Sequence, residues 1–411
     1  MPSWSSDVLI YLKEISSRCF ANLQSQKIKE VKMPGKEIVS KKFRTLKGKE
    51  FQVTYCRITG RGAGPALTFI AGQHGMEHSG PNILTQVMEE ISPDSFNGTL
   101  YLCPCANPLA LEADYEIYPE SEDLSKLGNY YYSISRHNYC VFRLGREDGV
   151  RTMYNMNRLW NREEKTGVAG EITAWLWNEI CMNANVIVDF HSLQADKPLI
   201  YNAYPHANDI AKYFGVEAIH MCWAEPDEYN AHNLLYQANS GGRYGFCVEF
   251  SIQHGLKEAE YPIGVKGVYN LMKAMNMMNG EIIHSRPVWI LPYGGEISLK
   301  SRHSGHIRYF FDSYNQVKTG DKLYEIRDIQ TLELLEEGFS PQDGVFGAKS
   351  FKPVVSPGQI VCQTFSAILA APAGAPLEKL AKDFFEDNKY VLTRKDVRRK
   401  KVTAEVELAA N

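Results

Sequence analysis

The sequence predicts an α/β protein with a largely buried central sheet flanked by helices, followed by a small all-β domain. Two observations carry this expectation. Up to about residue 285, short continuous apolar runs alternate with segments of helical period, the pattern of a sheet buried on both faces. From Val288 onward the helical period fades. Short strands there are separated by turn signals at Gly294-Gly295, Gly305, Gly320-Asp321, Asp343-Gly344 and Pro357-Gly358. The expected boundaries are an α/β domain over 1–287, a β domain over 288–375 and a charged tail over 376–411.

In chain order, residues 7–22 are loosely helical, with Val8, Ile10, Leu12, Ile15 and Phe20 as apolar positions. Strand-like runs follow at Phe51–Ile58, Ala66–Ala71, Thr99–Cys103, Val186–Phe190, Leu199–Asn202 and Phe246–Phe250. The clearest helix between them is Ser79–Ile91, whose Leu84, Val87, Met88 and Ile91 share one face. Ser79 suits its N-cap, and Pro81 falls in the first turn, where a missing N–H costs little. A second helix, carrying Trp175 and Trp177, covers 170–182 and runs almost directly into the strand at Val186. A third spans about 263–278. Within the β region two stretches are faintly alike: Ser304-Gly305-His306-Ile307 followed by Val317–Leu323, and Asp343-Gly344-Val345-Phe346 followed by Val355–Ile360.

Composition narrows the function classes. A chain of 411 residues suffices for a large catalytic domain plus something smaller. With 44% hydrophobic and 23% charged residues it belongs among ordinary globular proteins. A net charge of -3 argues against a nucleic-acid-binding surface. The basic run from Arg394 to Lys401 reads as a solvated tail rather than an anion or membrane contact. Asp7, Lys13 and Glu14 interrupt any secretory apolar run, and no stretch approaches the roughly 20 apolar residues of a membrane span. Nine cysteines, an odd count without paired spacing, fit reduced thiols better than a disulfide framework. Cys56, Cys103 and Cys247 sit inside apolar strand runs, and Cys103-Pro104-Cys105 lacks the spacer of a redox or zinc pair. The expected location is the cytoplasm, with neither nucleic acid nor membrane as partner, and the chain is compatible with a homo-oligomer.

The residues suited to chemistry gather at strand ends. His74-Gly75-Met76-Glu77 and Asp189-Phe190-His191 offer two imidazoles and a carboxylate, a set that can hold one zinc ion and leave a position open for water. A His followed three residues later by Glu is weak alone. Here Ala66–Ala71 precedes it as a buried strand, Gly72 and Gly75 open a tight turn, and Ser79-Gly80-Pro81 starts a helix. Side chains at the carboxyl end of a central strand face the ligand crevice of an open α/β sheet, and His191 likewise ends a strand. The bland alternative is a pair of histidines hydrogen-bonded within a loop. Asp189 and His191, two apart on a strand, point to the same face. Asp189 either receives the second N–H of a metal-bound imidazole or is a buried carboxylate tied to backbone.

Asn155-Met156-Asn157-Arg158 precedes the Trp-rich helix. A guanidinium beside a carboxamide suits a substrate carboxylate, and a surface salt bridge is the alternative. Glu249 lies in the apolar run Cys247-Val248-Glu249-Phe250, where a carboxylate is costly unless it has a partner or a task. Beside metal-activated water it serves as general base and then delivers the proton to the leaving amine; otherwise it is a paired structural Glu. His303 and His306 flank a Gly turn with no acidic partner nearby and read as surface residues. There is no nucleophilic Ser elbow and no phosphate-cradling Gly loop.

Taken in order, Gly72-Gln73-His74-Gly75-Met76-Glu77, Asn107-Pro108, Asn157-Arg158, Asp189-Phe190-His191-Ser192 and the Glu249 strand resemble the succinylglutamate desuccinylase/aspartoacylase family of the zinc carboxypeptidase superfamily. The resemblance covers roughly residues 50–285. Segment 300–365 is similar to the biotinyl/lipoyl-like β domain that follows the catalytic domain in many such deacylases. The resemblance implies a zinc-carboxypeptidase-like catalytic domain, a mixed central sheet flanked by helices, with one Zn2+ held by His74, Glu77 and His191 and a barrel-like β domain after it. It implies that Asn157 and Arg158 hold the substrate carboxylate, that Glu249 activates water, and that an upstream Arg polarises the scissile carbonyl, with Arg151 ahead of Arg143. The chain departs from the family at Asn155, where an Asp is usual, and at Leu159-Trp160-Asn161, where Phe-Pro-Gly often stands. Both departures spare the metal residues and point to Asn155 and Trp160 as places where the substrate is decided. Lys349 lies in the wrong half of the pseudo-repeat, without flanking Met residues, for a carrier lysine.

The implied activity is removal of an acyl group from an N-acyl amino acid or a similar small metabolite bearing a free carboxylate. A metallocarboxypeptidase acting on peptides needs the same metal and the same Arg. A β domain packed against the catalytic domain would narrow the entrance and exclude peptides. The reading outside hydrolases is a non-catalytic binding protein that uses the β domain as an interaction module.

Overall fold

The computed structural model describes residues 34–378 apart from 45–47, 49, 116–155, 163–166, 194, 203–206, 222–230, 254, 348 and 350–352. The helix expected at 7–22, Arg143, Arg151, Asn155 and the basic run of the tail lie outside the described residues. In chain order the first strands are β1 (Gly35–Arg44), β2 (Glu50–Thr59), β3 (Ala66–Ala71), β4 (Thr99–Cys105), β5 (Val186–Leu193), β6 (Leu199–Asn202), β7 (Ala218–Met221), β8 (Tyr244–Ser251), β9 (Ile282–Ile283) and β10 (Val288–Leu291). The β region adds β11 (Glu296–Lys300), β12 (Gly305–Tyr309), β13 (Gln316–Val317), β14 (Lys322–Arg327), β15 (Leu334–Phe339), β16 (Gly344–Phe346), β17 (Val354–Val355) and β18 (Ile360–Phe365). The last two are β19 (Ile368–Ala371) and β20 (Pro376–Leu377).

One ten-stranded sheet runs in the order β1-β2-β4-β3-β5-β8-β6-β7-β10-β19. Its centre is parallel: β3 pairs with both β4 and β5, and β5 with β8, whereas β6 runs antiparallel to β8. The sheet is therefore mixed, as expected. Its central strands are apolar on both faces because both are covered. On one side Leu67, Phe69, Val188, Phe190 and Phe250 meet the helices Ser79–Glu90 and Tyr261–Ala274. On the other, Ile70, Cys103 and Ile187 meet Met156, Trp160, the helix Gly167–Leu176 and the helix Leu234–Ser240. From β3 the chain moves one way to β4 and later returns to β5 on the opposite side, so the order reverses at β3. Ligands of open α/β sheets bind outside the carboxyl ends of strands at such a point.

Several local expectations change. The first helix is capped by His78 in helical geometry without a side-chain cap, and Ser79 lies inside it with a buried hydroxyl that has no hydrogen-bond partner. The helix expected at 170–182 starts at Gly167 and widens into a π-helical turn over Trp177–Cys181. β1, β7 and the short helices Pro108–Tyr115, Asn208–Ala211 and Leu234–Ser240 come without a clear periodic signal. The boundary expected at 287/288 does not coincide with an edge of the sheet. β10 pairs in parallel with β7, and β19 returns to pair with β10. The tail expected from 376 begins with β20, paired to β9.

The all-β expectation for the intervening segment agrees with the structure. Two antiparallel sheets, β11-β18-β16-β13 and β15-β14-β12-β17, share a core of Ile307, Leu323, Ile326, Phe346 and Val361. The internal repeat explains their matching orders. Each sheet takes its two central strands from one half, β12 with β14 or β16 with β18, and borrows a two-residue edge strand from the other half, β17 or β13.

Gly80 sets how closely the first helix approaches the sheet: a Cβ there would lie 2.9 Å from the Cβ atoms of both Ala71 and Phe190. Neither is the far end of a flexible chain, so Gly80→Ala should push the helix outward at a cost of about 1–3 kcal/mol. A denaturation midpoint equal to that of the unaltered protein would show that the contact is not tight.

Candidate active site

Gly72 follows β3 at φ 66°, a left-handed turn that glycine adopts without strain, and a Cβ there would press on the Pro104 carbonyl at 3.0 Å. The turn carries His74 and Glu77 across the end of β5, where His191 stands. All three are buried, and one ligand atom from each lies within 4.8 Å of the others. His74 Nδ1 is 2.9 Å from Glu77 Oε1, His191 Nδ1 is 2.8 Å from Glu77 Oε2, and the two Nδ1 atoms are 3.2 Å apart.

Asp189 lies behind His191. Its Oδ2 accepts from His191 Nε2 at 2.7 Å and from Asn157 Nδ2 at 3.1 Å, and its Oδ1 accepts from Gln73 Nε2 at 2.7 Å. With Nε2 committed to Asp189, His191 directs Nδ1 toward Glu77 and His74. Burial alone would lower the basicity of His191, but the carboxylates of Asp189 and Glu77 outweigh it and raise its pKa well above the usual range. Burial acts in the opposite sense on Glu77, and there the His74 and His191 rings outweigh it and hold the carboxyl well below its usual range. The cluster thus favours positive charge at the point where the three side chains converge. Two imidazoles and a carboxylate, with one ring oriented from behind, are a donor set that fits zinc.

Glu249 pairs with His191 across the parallel β5/β8 register, so it shares a face with Asp189, His191 and Cys247. It is half-buried, and desolvation raises its pKa to about 8; His191 opposes the shift, while Glu77 and Asp189 add to it. Cys247 Sγ stands 3.6 Å from its Oε1. Beyond Glu249 the chain is tied back to β5: Ile252 N donates to Leu193 O and Gln253 Nε2 to Ser192 O. These bonds fix Glu249 relative to His191.

Met156–Arg158 forms a single helical turn against this cluster. Asn157 Oδ1 accepts from Leu234 N at 2.8 Å while Nδ2 donates to Asp189, so its carboxamide links the segment 231–234 to the Asp189 side of the cluster. Arg158, half-buried, donates through Nη1 to the Asn157 carbonyl at 2.6 Å. Trp160, expected as a place of substrate choice, is fully buried beneath the site. Asn161 stands where the resembled family often has Gly and takes φ 51°, a left-handed conformation that Asn tolerates.

The structure thus brings together His74, Glu77, His191, Asp189, Asn157 and Glu249, with Arg158 adjacent. Asn155 and the candidate carbonyl-polarising Arg151 and Arg143 fall outside the described residues. Gln73 was not singled out by sequence reasoning. Its one signal was a long polar side chain directly after a buried strand. His303 and His306 are exposed, as expected, but His303 does have an acidic partner, with Nδ1 3.2 Å from Oε2 of the buried Glu336, which also accepts from Arg302 N and Tyr324 Oη. Sequence could not show this, because the partner is on β15, 33 residues away. Lys349 is held in ion pairs with Asp312 and Asp196.

Residues 63–275 match the succinylglutamate desuccinylase/aspartoacylase catalytic domain. The chain belongs to this family. Its members are deacylase/aspartoacylase-type hydrolases that act on small carboxylate-bearing molecules. Among curated proteins, none matches the chain. Solved structures of low identity share the fold. A succinylglutamate desuccinylase/aspartoacylase from Rhodobacter sphaeroides superposes with a TM-score of 0.58 at 15% identity, covering 82% of this chain and 97% of that one. A succinylglutamate desuccinylase from a Silicibacter species gives 0.59 at 17%, covering 83% and 98%. The product-bound ectoine utilization protein EutE (DoeB) from Ruegeria pomeroyi gives 0.56 at 17%, again covering 83% and 98%.

Asn157→Ala removes the acceptor of the Leu234 N–H and one of the two donors to Asp189 Oδ2, a loss expected to cost about 1–3 kcal/mol of stability. Urea unfolding of the variant would read this as a lower midpoint, and an unchanged midpoint would remove Asn157 from the anchoring role.

Proposed function

We propose that the chain is a zinc-dependent hydrolase that removes an acyl group from the amino nitrogen of an N-acyl amino acid or a similar small metabolite with a free carboxylate. The observation that carries this reading is the convergence of His74, Glu77 and His191 at the ends of β3 and β5, with Glu249 on the neighbouring strand. When bound there, zinc supplies Lewis acidity that polarises the scissile carbonyl and makes water nucleophilic near neutral pH. The protein's own residues do the rest. Asp189 orients His191, and Glu249 takes a proton from the attacking water and hands it to the amide nitrogen as the C–N bond breaks, leaving a carboxylate and an amine. Arg158 grips the substrate carboxylate and sets which carbonyl reaches the centre, with Asn157 beside it.

The junction with the β region supports small substrates over peptides. Asp196, five residues beyond His191, accepts from Ser313 Oγ at 2.6 Å and from the Lys349 N–H at 3.3 Å, and Lys197 reaches both Glu217 and the Ser313 carbonyl. An apolar seam of Leu199, Trp289, Tyr314, Val345 and Phe365 seals the same contact. The β region therefore stands against the loop at the carboxyl end of β5, where a peptide would need room to continue.

Glu249→Gln should lower kcat by about 10²–10⁴-fold while zinc content stays near one per chain; activity that survives would displace Glu249 as the base. Chelation should abolish hydrolysis across a screen of N-acetyl, N-succinyl and N-formyl amino acids, and zinc should restore it. Activity on longer peptides with none on acyl amino acids would instead establish the carboxypeptidase alternative.

A further inference from the structure

A chain of hydrogen bonds runs from the apolar layer below the sheet to the proposed metal ligand. The fully buried Trp160 donates from Nε1 to Gln73 Oε1 at 2.8 Å. Gln73, also fully buried, donates from Nε2 to Asp189 Oδ1 at 2.7 Å, and the other Asp189 oxygen receives His191 Nε2. The two ends of this chain have opposite chemistry. An indole N–H can only donate, and carboxylate oxygens only accept. A carboxamide between them has one orientation that satisfies both, so Trp160 determines which end of Gln73 faces Asp189. Without the indole N–H the amide is free to turn, and its oxygen would then oppose Oδ1.

Trp160 is itself held in place. Its backbone N–H donates to the His232 carbonyl at 3.0 Å, its carbonyl lies 3.0 Å from His232 Nδ1, and the Gln73 carbonyl accepts from Asn107 Nδ2 at 3.2 Å. The chain is therefore anchored at Trp160, its apolar end, and at Gln73, its middle link.

We propose that Trp160 is a positioning residue for His191: acting through Gln73, it fixes the Asp189 carboxylate and so the ring nitrogen that His191 presents. The proposal rests on the reading of His74, Glu77 and His191 as zinc ligands. It also gives Trp160 a task other than contact with substrate, in keeping with its burial.

The test is zinc affinity by competition with a chromophoric chelator, measured on the full chain. Trp160→Phe keeps a buried ring and removes the N–H. It should weaken zinc binding about 10–100-fold, the range for loss of a group that orients a ligand from behind, with the KM for substrate nearly unchanged once zinc is saturating. Gln73→Met should show a similar loss, and the double variant should be no weaker than Gln73→Met alone, because the two act in series. Affinity of Trp160→Phe within twofold of the unaltered protein, or losses that multiply in the double variant, would overturn the proposal. If Trp160→Phe does not fold, Gln73→Met decides by itself, and unaltered affinity there is equally fatal. His191→Ala separates the two readings. Zinc affinity unaffected by that change removes the metal site and the hydrolase reading, whereas a loss in His191→Ala but not in Trp160→Phe removes the positioning role alone.

Discussion

The site depends on the parallel register of β3, β5 and β8. Ala71 pairs with Phe190 and His191 with Glu249, so the strand ends that carry the chemistry are level with one another. A slip of β5 by one residue would turn His191 into the apolar layer and Phe190 into the crevice. Aromatic packing on the opposite face prevents this. The Phe190 ring meets Phe69, Phe214 and Phe250 edge-on at centroid distances of 5.9, 5.8 and 5.2 Å. The polar face of the strand is thus held in place by its apolar one.

Electrostatics at the site follow from the same geometry. Glu77, Asp189 and Glu249 gather around two imidazoles where water is largely excluded. At low dielectric, like charges a few ångströms apart cannot all be kept without compensation. Glu77 and Glu249 shift in opposite directions although burial pushes both upward. Glu77 lies between two rings and is held low, Asp189 has three donors, and Glu249, with only a thiol and the edge of the cluster, is raised. This separation suits one carboxylate to binding a cation, another to orienting its ligand and the third to moving a proton.

Much of this was legible in the sequence, for identifiable reasons. The central strands appeared as unbroken apolar runs because both of their faces are buried, and His74, Glu77 and His191 stood out because they interrupt such runs at the ends. The repeat in the β region was visible because Gly305 and Gly344 begin equivalent strands. β1, Gly35-Lys36-Glu37-Ile38-Val39-Ser40-Lys41-Lys42-Phe43-Arg44, was missed because it is an exposed edge strand whose polar residues carry no alternation. The Ser79 cap failed because backbone geometry set the helix start one residue earlier than side-chain chemistry suggested. Trp160 stands out in the sequence as a departure that suggests a substrate contact, because sequence does not say which side of a loop an indole takes. Its link to Gln73 spans 87 residues, and no local pattern reports a contact of that length.

The way the β region is connected has a mechanical consequence. The chain leaves the main sheet at the end of β10, builds both small sheets, and comes back as β19, hydrogen-bonded antiparallel to β10 itself. A module hung from one linker keeps rotational freedom about it; one spliced between two adjacent paired strands does not. Its entry and exit are clamped side by side, so a swing of the module would have to break the β10/β19 ladder or the apolar seam beneath it. The face that the β region turns toward the loop after β5 is therefore held at both of its ends.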